Sequence, residues 1–303
     1  MTPYFKNLKE ATIRVVEVLN KKGVKEHHLT FGGPGAEPAK APRIPTDARS
    51  EFLANRAMGD WAENLLADAL RKSVSNWSVS HYGSTASIAA GHADFSMHYG
   101  AGLKEVREFG KRPDLLIFEK KKVKDIVENL SLQPFETIDP LADLALASIE
   151  VRSSKFEALK YMEVRRRQKD AGTKVARDAP SFTVKVEDLV IVYRWLERKH
   201  IPQAYFQVFF DSVFAINVLD IFQLIGDWKK GSSIKFESPA KSQEKATIMI
   251  PITLGTQVGT LTALPDFTVE HKVTALGRHD AYVKPVNGKL MLDPEKVMAV
   301  LFK

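Results

Sequence analysis

Arg112-Pro113-Asp114-Leu115-Leu116-Ile117-Phe118, and further on Leu144-Ala145-Leu146-Ala147-Ser148-Ile149-Glu150-Val151-Arg152, are two apolar runs of strand length, each carrying one carboxylate at an end. Short continuous apolar runs of this kind suit central strands of a sheet buried on both faces. The connection between them contains the charged stretch Lys120 to Lys124 and two prolines between Leu130 and Pro140, so it reads as partly loop. Upstream, residues 46 to 72 place Trp61, Leu65 and Ala69 on one helical face, with Leu66 and Leu70 widening it. Glu63 falls just beyond the edge of that face, where its carboxylate can reach a site beside the core. Downstream, residues 156 to 169 suit a helix, and from about Thr183 to Lys199 Leu189, Val192, Tyr193 and Leu196 share a side before Pro202. A strong strand then runs from Tyr205 to Phe210. This order predicts an α/β (α+β) fold with a mixed central sheet flanked by helices.

The flanks are less regular. Residues 7 to 21 have the spacing of an amphipathic helix, with Leu8, Ala11, Val15, Val18 and Leu19 aligned. From Phe31 to Pro45 the glycines and prolines exclude helix and central strand, and no Gly-Lys-Ser/Thr follows that would make a phosphate loop. Trp77 to Gly102, rich in Ser, Gly, His and Ala, reads as a strand followed by irregular loops. After Gly231 the runs 234–236, 246–252, 267–273 and 281–283 are β-like and separated by Gly, Pro and Asn signals. The expected organisation is an N-terminal helix and linker (1–45), a core (46–230) and a β-rich C-terminal accessory lobe (231–303).

The 303 residues carry 44 Lys and Arg against 37 Asp and Glu, a net charge of +7 that favours a polyanionic partner. The absence of Cys removes disulfides, thiolate nucleophiles and Cys-ligated zinc, and fits a reducing compartment. The opening residues lack the apolar run of a signal peptide, and the most apolar stretch, Tyr205 to Ile225, is interrupted by Asp211 and Asp220, so the expectation is a cytoplasmic protein without membrane spans. The eight His residues, among them His27, His28, His81, His92, His98 and His271, form no zinc-binding pattern. Trp195, Phe206, Phe209, Phe210, Phe214 and Phe222 read as core.

The chemistry that this charge balance and these carboxylates suit is phosphodiester hydrolysis. It needs an activated water, positive charge for the transition state and help for the departing oxygen, all of which Mg2+ can supply. Such an ion keeps several waters and requires only two carboxylates plus a carbonyl from the protein. Asp114 and Glu150 fit that need: Asp114 begins one predicted strand and Glu150 lies near the end of another, and adjacent placement in a sheet would bring the two carboxylates to one metal. Singly, each has an ordinary structural explanation: Asp114 as a turn residue, Glu150 and Arg152 as partners of helix charges, Glu63 as a solvated side chain.

Taken in order, Pro113-Asp114 followed by Glu150-Val151-Arg152 resembles the PD-(D/E)XK signature of type II restriction endonucleases, and Glu63 in Gly59-Asp60-Trp61-Ala62-Glu63 is similar to a helical Glu found upstream in many of them. Ile149-Glu150-Val151-Arg152-Ser153-Ser154 and Ser181-Phe182-Thr183-Val184-Lys185-Val186-Glu187-Asp188-Leu189 resemble the AccI-type group in particular. The resemblance covers about residues 50 to 225. It implies a PD-(D/E)XK core in which Asp114, Glu150 and the Val151 carbonyl bind Mg2+, with Glu63 assisting. It also implies a homodimer that cuts a short, near-palindromic double-stranded DNA site, with a companion DNA methyltransferase in the same system. The usual final Lys of the signature is Arg152 here. Arg clamps phosphate but can hardly serve as a base, so either Arg152 stabilises the transition state, the preferred reading, or Lys155 reaches back into the site. Between Arg152 and Lys169 seven basic residues stand against two acidic ones, and Arg165, Arg166, Arg167 and Lys169 are expected to meet DNA phosphates. Two other readings stay open: a structure-selective repair or recombination nuclease, and a DNA-binding protein without catalysis.

Overall fold

The computed structural model describes residues 2–31, 50–83, 95–123, 128–133, 135–237, 246–273 and 277–303. In chain order the elements are α1 (Pro3–Lys21), α2 (Ser50–Ser73), β1 (Trp77–His81), α3 (Phe95–Phe109), β2 (Leu115–Glu119), α4 (Phe135–Ala142) and β3 (Ala147–Ser153). They continue with α5 (Ala158–Asp170), β4 (Ser181–Lys185), α6 (Val186–Lys199), β5 (Gln203–Val208), β6 (Ser212–Asn217) and α7 (Val218–Gly226). The chain ends with β7 (Lys235–Glu237), β8 (Thr247–Pro251), β9 (Thr256–Ala263), β10 (Asp266–Val273), β11 (His279–Val286), β12 (Lys289–Leu292) and α8 (Pro294–Leu301). Among the described residues no helix is long and apolar enough to cross a membrane. From Gly32 to Pro45 the Gly/Pro-rich stretch lies outside the described residues, as do His92 and Lys124.

A seven-stranded mixed sheet, ordered β1-β2-β3-β5-β6-β9-β12, organises the chain. Strand β2 pairs antiparallel with β3, Leu115 facing Ile149, whereas β3 and β5 run parallel, Glu150 facing Tyr205. A parallel pair needs a long crossover, and α5, β4 and α6 provide it. Alternate side chains of each strand enter two separate cores. Leu116 and Phe118 join residues of α1, α6 and α7 such as Val15, Trp195 and Phe222; Leu115 and Ile117 join residues of α2 and α8 such as Leu66, Leu70 and Leu301. The result is an α+β fold in which helices cover both faces of the sheet, as the two apolar runs predict.

Several elements differ from the sequence reading. Strands β9 and β12, from the segment 231–303 expected as an accessory lobe, are hydrogen-bonded into the central sheet, while β7 and β8 pair with β4 in a separate three-stranded sheet. The sheet therefore crosses the expected boundary at 231. The remaining pair, β10 and β11, forms a two-stranded ribbon. The helix expected from about Thr183 begins at Val186, because residues 181–185 pair with β8 as β4. Helix α6 ends on His200 in the left-handed region (φ 55°), just before Pro202. Helix α4 includes Pro140, where the composition suggested loop; burial of Ile138 and Ala142 offsets the missing N–H.

Helix α5 buries little of itself: Ala158 alone among its side chains is fully covered. Its N-terminus is capped from outside the helix. Asp211, in the β5–β6 turn, accepts hydrogen bonds from the backbone N–H groups of Ala158 (2.8 Å), Leu159 (2.8 Å) and Lys160 (3.3 Å). Since a carboxylate on free N–H groups at a helix start is favourable, Asp211→Ala is expected to cost about 1–2 kcal/mol in urea unfolding. An unchanged urea midpoint would show that α5 does not depend on this cap.

Candidate active site

At the junction of β2 and β3 the chain brings together two carboxylates that lie far apart in sequence. Pro113 precedes the buried run of β2, so Asp114 sits at its mouth, and its Oδ2 accepts a 2.6 Å hydrogen bond from the backbone N–H of Val151. Val151 thus orients Asp114 through its N–H. Behind Asp114 lies Gly83: a Cβ there would stand 3.0 Å from the Asp114 Cα and 3.2 Å from its Oδ1. The N–H groups of Tyr82 and Gly83 both donate to the Asp114 carbonyl, at 2.8 and 3.2 Å. Any larger residue at 83 would displace Asp114.

Glu150 alternates with Ile149 and Val151, which enter the α2-side core, so its side chain takes the opposite face and is almost wholly buried. Its Oε1 pairs with the Lys111 ammonium and lies 3.2 Å from the Arg152 guanidinium. Its Oε2 is buried without a hydrogen-bond partner among the described residues. The same Arg152 Nη2 also pairs with Asp188, 2.9 Å away in the first turn of α6, and the guanidinium lies over the Tyr205 ring at 5.6 Å.

These carboxylates are poorly compensated. Burial, then repulsion from Glu150, pushes the Asp114 carboxyl up to about 7, against the opposing pull of Lys111 and the Val151 N–H. Glu63, half-buried on α2, is pushed up to about 8 by burial and then by Asp114, Asp60 and Glu150. Burial pulls the Lys111 pKa down, but Glu150 beside it outweighs that and carries it above the ordinary lysine value. Asp114 and Glu63 are thus raised first by burial and then by neighbouring carboxylates, while Glu150 has Lys111 and Arg152 beside it. Unfolded, Asp114 and Glu63 would ionise at their usual 3.8 and 4.5. The folded protein therefore holds more protons than the unfolded chain between those values and the raised ones, and stability should fall as pH rises through that window, from about 4 to about 8. A cation that binds the ionised carboxylates removes the fall. Melting temperature across this range, with and without Mg2+, should show a downward slope only in the metal-free protein; a flat metal-free curve would contradict the coupling.

Would the residues suit Mg2+? The donors are all oxygen, the carboxylates repel one another, and one buried carboxylate oxygen is unpartnered, which is the setting a hard cation relieves. Among the described residues no three His, Asp or Glu side chains stand close enough to hold an ion alone. That is compatible with Mg2+, which completes its shell with water and phosphate oxygens.

The family model of the AccI restriction endonuclease matches residues 21–176 and 164–302. The chain belongs to the AccI restriction endonuclease family. Membership implies a sequence-specific DNA endonuclease and hence a protein that binds DNA. No curated protein and no solved structure matches.

In this AccI-family chain the other expected site residues separate. Lys155 is exposed at the rim of a small cavity of about 170 Å³, beside Met58, Phe210 and Phe267, and makes no ion pair among the described residues. It is not brought to Glu150. On α5, Arg165 donates to Gln168 and lies over Tyr161, Arg167 pairs with Glu163, and Lys169 pairs with Asp178, leaving Arg166 exposed and unpaired among the described residues. A cavity of about 770 Å³ between α2 and β11 is lined by Arg56, Asp60, Asn64 and Lys284 and includes none of Glu63, Asp114 and Glu150. Sequence reasoning missed Lys111, Gly83 and Asp188 as neighbours of the carboxylates. Asp188 did lie in a stretch that carried the family resemblance. Lys111 stands immediately before Arg112-Pro113-Asp114, and Gly83 closes a His-Tyr-Gly triplet with no signal of its own.

Proposed function

We propose that this protein is a type II restriction endonuclease with a PD-(D/E)XK-type site, hydrolysing phosphodiester bonds in double-stranded DNA. Asp114, Glu150 and the Val151 carbonyl would hold Mg2+, and Glu63 would assist from α2. The observation that supports this reading is the convergence of Asp114 and the buried Glu150, whose Oε2 has no partner among the described residues, at the β2–β3 junction of an AccI-family chain.

When bound, Mg2+ supplies positive charge for the phosphoryl transition state and lowers the pKa of water. The protein's own groups do the rest. The Val151 N–H and Gly83 fix Asp114 in one orientation; the Asp188 tether fixes Arg152 beside Glu150, as a permanent charge aimed at the scissile phosphate. Unpaired basic groups such as Arg166, on a helix that buries little of itself, hold the DNA backbone without reading sequence. Two copies related by a twofold axis would cut both strands of a site of matching symmetry, and a methyltransferase of the same specificity would protect the host's own DNA.

Incubation of the protein with unmethylated plasmid DNA and Mg2+ should give discrete bands that vanish with a chelator. Random degradation, or cutting confined to branched DNA, would point instead to a structure-selective nuclease. Retarded DNA in a gel with no cutting would point to a binding protein without catalysis.

A further inference from the structure

Glu150 is neutralised unevenly. Two cations, Lys111 and Arg152, share its Oε1, while Oε2 has no partner among the described residues. The two cations are held differently. Arg152 bridges to Asp188, so it stays in place whatever happens to Glu150. Lys111 has no other ion-pair partner among the described residues, and its side chain is 28% exposed where that of Glu150 is 2% exposed.

The backbone beneath Lys111 is fixed, and its side chain keeps partial exposure to solvent. Gly110 has φ +90°, and a Cβ there would collide with the Trp195 N–H and stand 2.6 Å from the Ile191 carbonyl, so only glycine lets the chain pass this close to α6. The Lys111 N–H then donates to the Ile191 carbonyl at 2.9 Å. The stem therefore starts from a set point next to the carboxylates, and the ammonium has a solvent-facing way out.

A buried carboxylate needs a counter-charge at all times. An ammonium and a divalent cation cannot both sit against the same carboxylate oxygen without strong mutual repulsion. We propose that Lys111 is the exchangeable counter-charge of the site: it neutralises Glu150 in the free protein and, when a divalent cation takes that carboxylate, turns to a phosphate oxygen of the bound DNA strand. This rests on the reading of Asp114 and Glu150 as cation ligands. It gives the site a second phosphate-facing cation beside Arg152, one supplied from outside the Glu150-Val151-Arg152 stretch.

The exchange makes two effects of opposite sign, which a merely structural role would not produce. Mn2+ binding to the full chain without DNA, followed by the electron paramagnetic resonance of free Mn2+, should tighten about tenfold in Lys111→Met, because a competitor is gone. Single-turnover cleavage by the same variant with saturating Mg2+ should slow about a hundredfold, because a transition-state charge is lost. Lys111→Gln, which keeps a hydrogen-bonding group near Glu150, should move both quantities in the same directions and serves for the comparison if the Met variant melts early. Unchanged or weaker Mn2+ binding in both folded variants overturns the proposal while leaving the cation site intact. Wild-type protein that binds no Mn2+, or binds it no better than Glu150→Gln, overturns the site itself and the proposal with it.

Discussion

Asp114→Asn and Glu150→Gln are each expected to lower Mg2+-dependent DNA cleavage on the order of a thousandfold, with the fold kept and DNA binding in Ca2+ or metal-free buffer largely unchanged. The magnitude follows from what each substitution removes. Both exchange a charged oxygen donor for a neutral amide of the same shape, so the packing around the β2–β3 junction survives while the attraction for a divalent ion drops. Asp114→Asn also tests orientation, since the amide can still accept from the Val151 N–H through its oxygen. Asp114→Asn removes a carboxyl that burial and then Glu150 push up, and takes one repulsion off Glu63, so it should melt no earlier than wild type at alkaline pH and flatten its pH dependence; Glu150→Gln leaves Lys111 and Arg152 without their shared carboxylate and should melt earlier. Comparing cleavage rates with melting curves separates loss of the site from loss of the fold. Wild-type rates in both variants would remove Asp114 and Glu150 from the chemistry.

Arg152→Met should slow cleavage about a hundredfold, and Lys155→Met should change it less than about twofold. The two residues are near neighbours in sequence, yet the geometry gives them different roles. Arg152 bridges the buried Glu150 and the Asp188 carboxylate, and replacing it leaves Asp188 without the 2.9 Å partner it has in the wild type. Lys155 is exposed at an apolar rim and makes no ion pair among the described residues. Arg152→Lys should fall between wild type and Met, because an ammonium restores the charge but lacks the reach and planar shape that place one guanidinium nitrogen between Glu150 and Asp188. A dead Lys155→Met beside an active Arg152→Met would reverse this assignment and require the chain after Ser153 to rearrange on DNA.

The central elements were legible because burial on both faces leaves a plain mark. Leu115 to Phe118 is a continuous apolar run, and Tyr205 to Val208 is apolar but for the buried Gln207; each lies in a strand of the central sheet. Helix α2 was legible from Trp61, Leu66 and Leu70 at helical spacing. Elements whose stability comes from tertiary contact were not. Helix α3 contains Gly100 and Gly102 and has little local preference for helix, yet it packs on α6, where Arg194 donates to the Arg107 carbonyl at 2.5 Å. Strand β9, with Gly259 and several threonines, reads as loop until β6 and β12 pair with it on either side.

The site followed the same division. The order of Glu63, Asp114 and Glu150 could be read from the sequence because strand ends and helix faces are periodic features. Which cation meets Glu150 could not, because it depends on where α3 delivers Lys111 and where α6 delivers Asp188, and both are contacts between elements. The basic run on α5 shows the reverse case. The excess of charge is real in sequence, but Glu163 and Asp178 engage two of its four candidate DNA contacts in the free protein, and binding DNA would have to break those exposed pairs, which cost little to lose.

The most direct measurement is a crystal structure of the protein soaked in Mn2+, with data collected at the manganese absorption edge. The account predicts an anomalous peak within about 2.0–2.3 Å of one oxygen each of Asp114 and Glu150. A fully occupied ion elsewhere, with Lys111 still paired to Glu150 and no density between the two carboxylates, would contradict it.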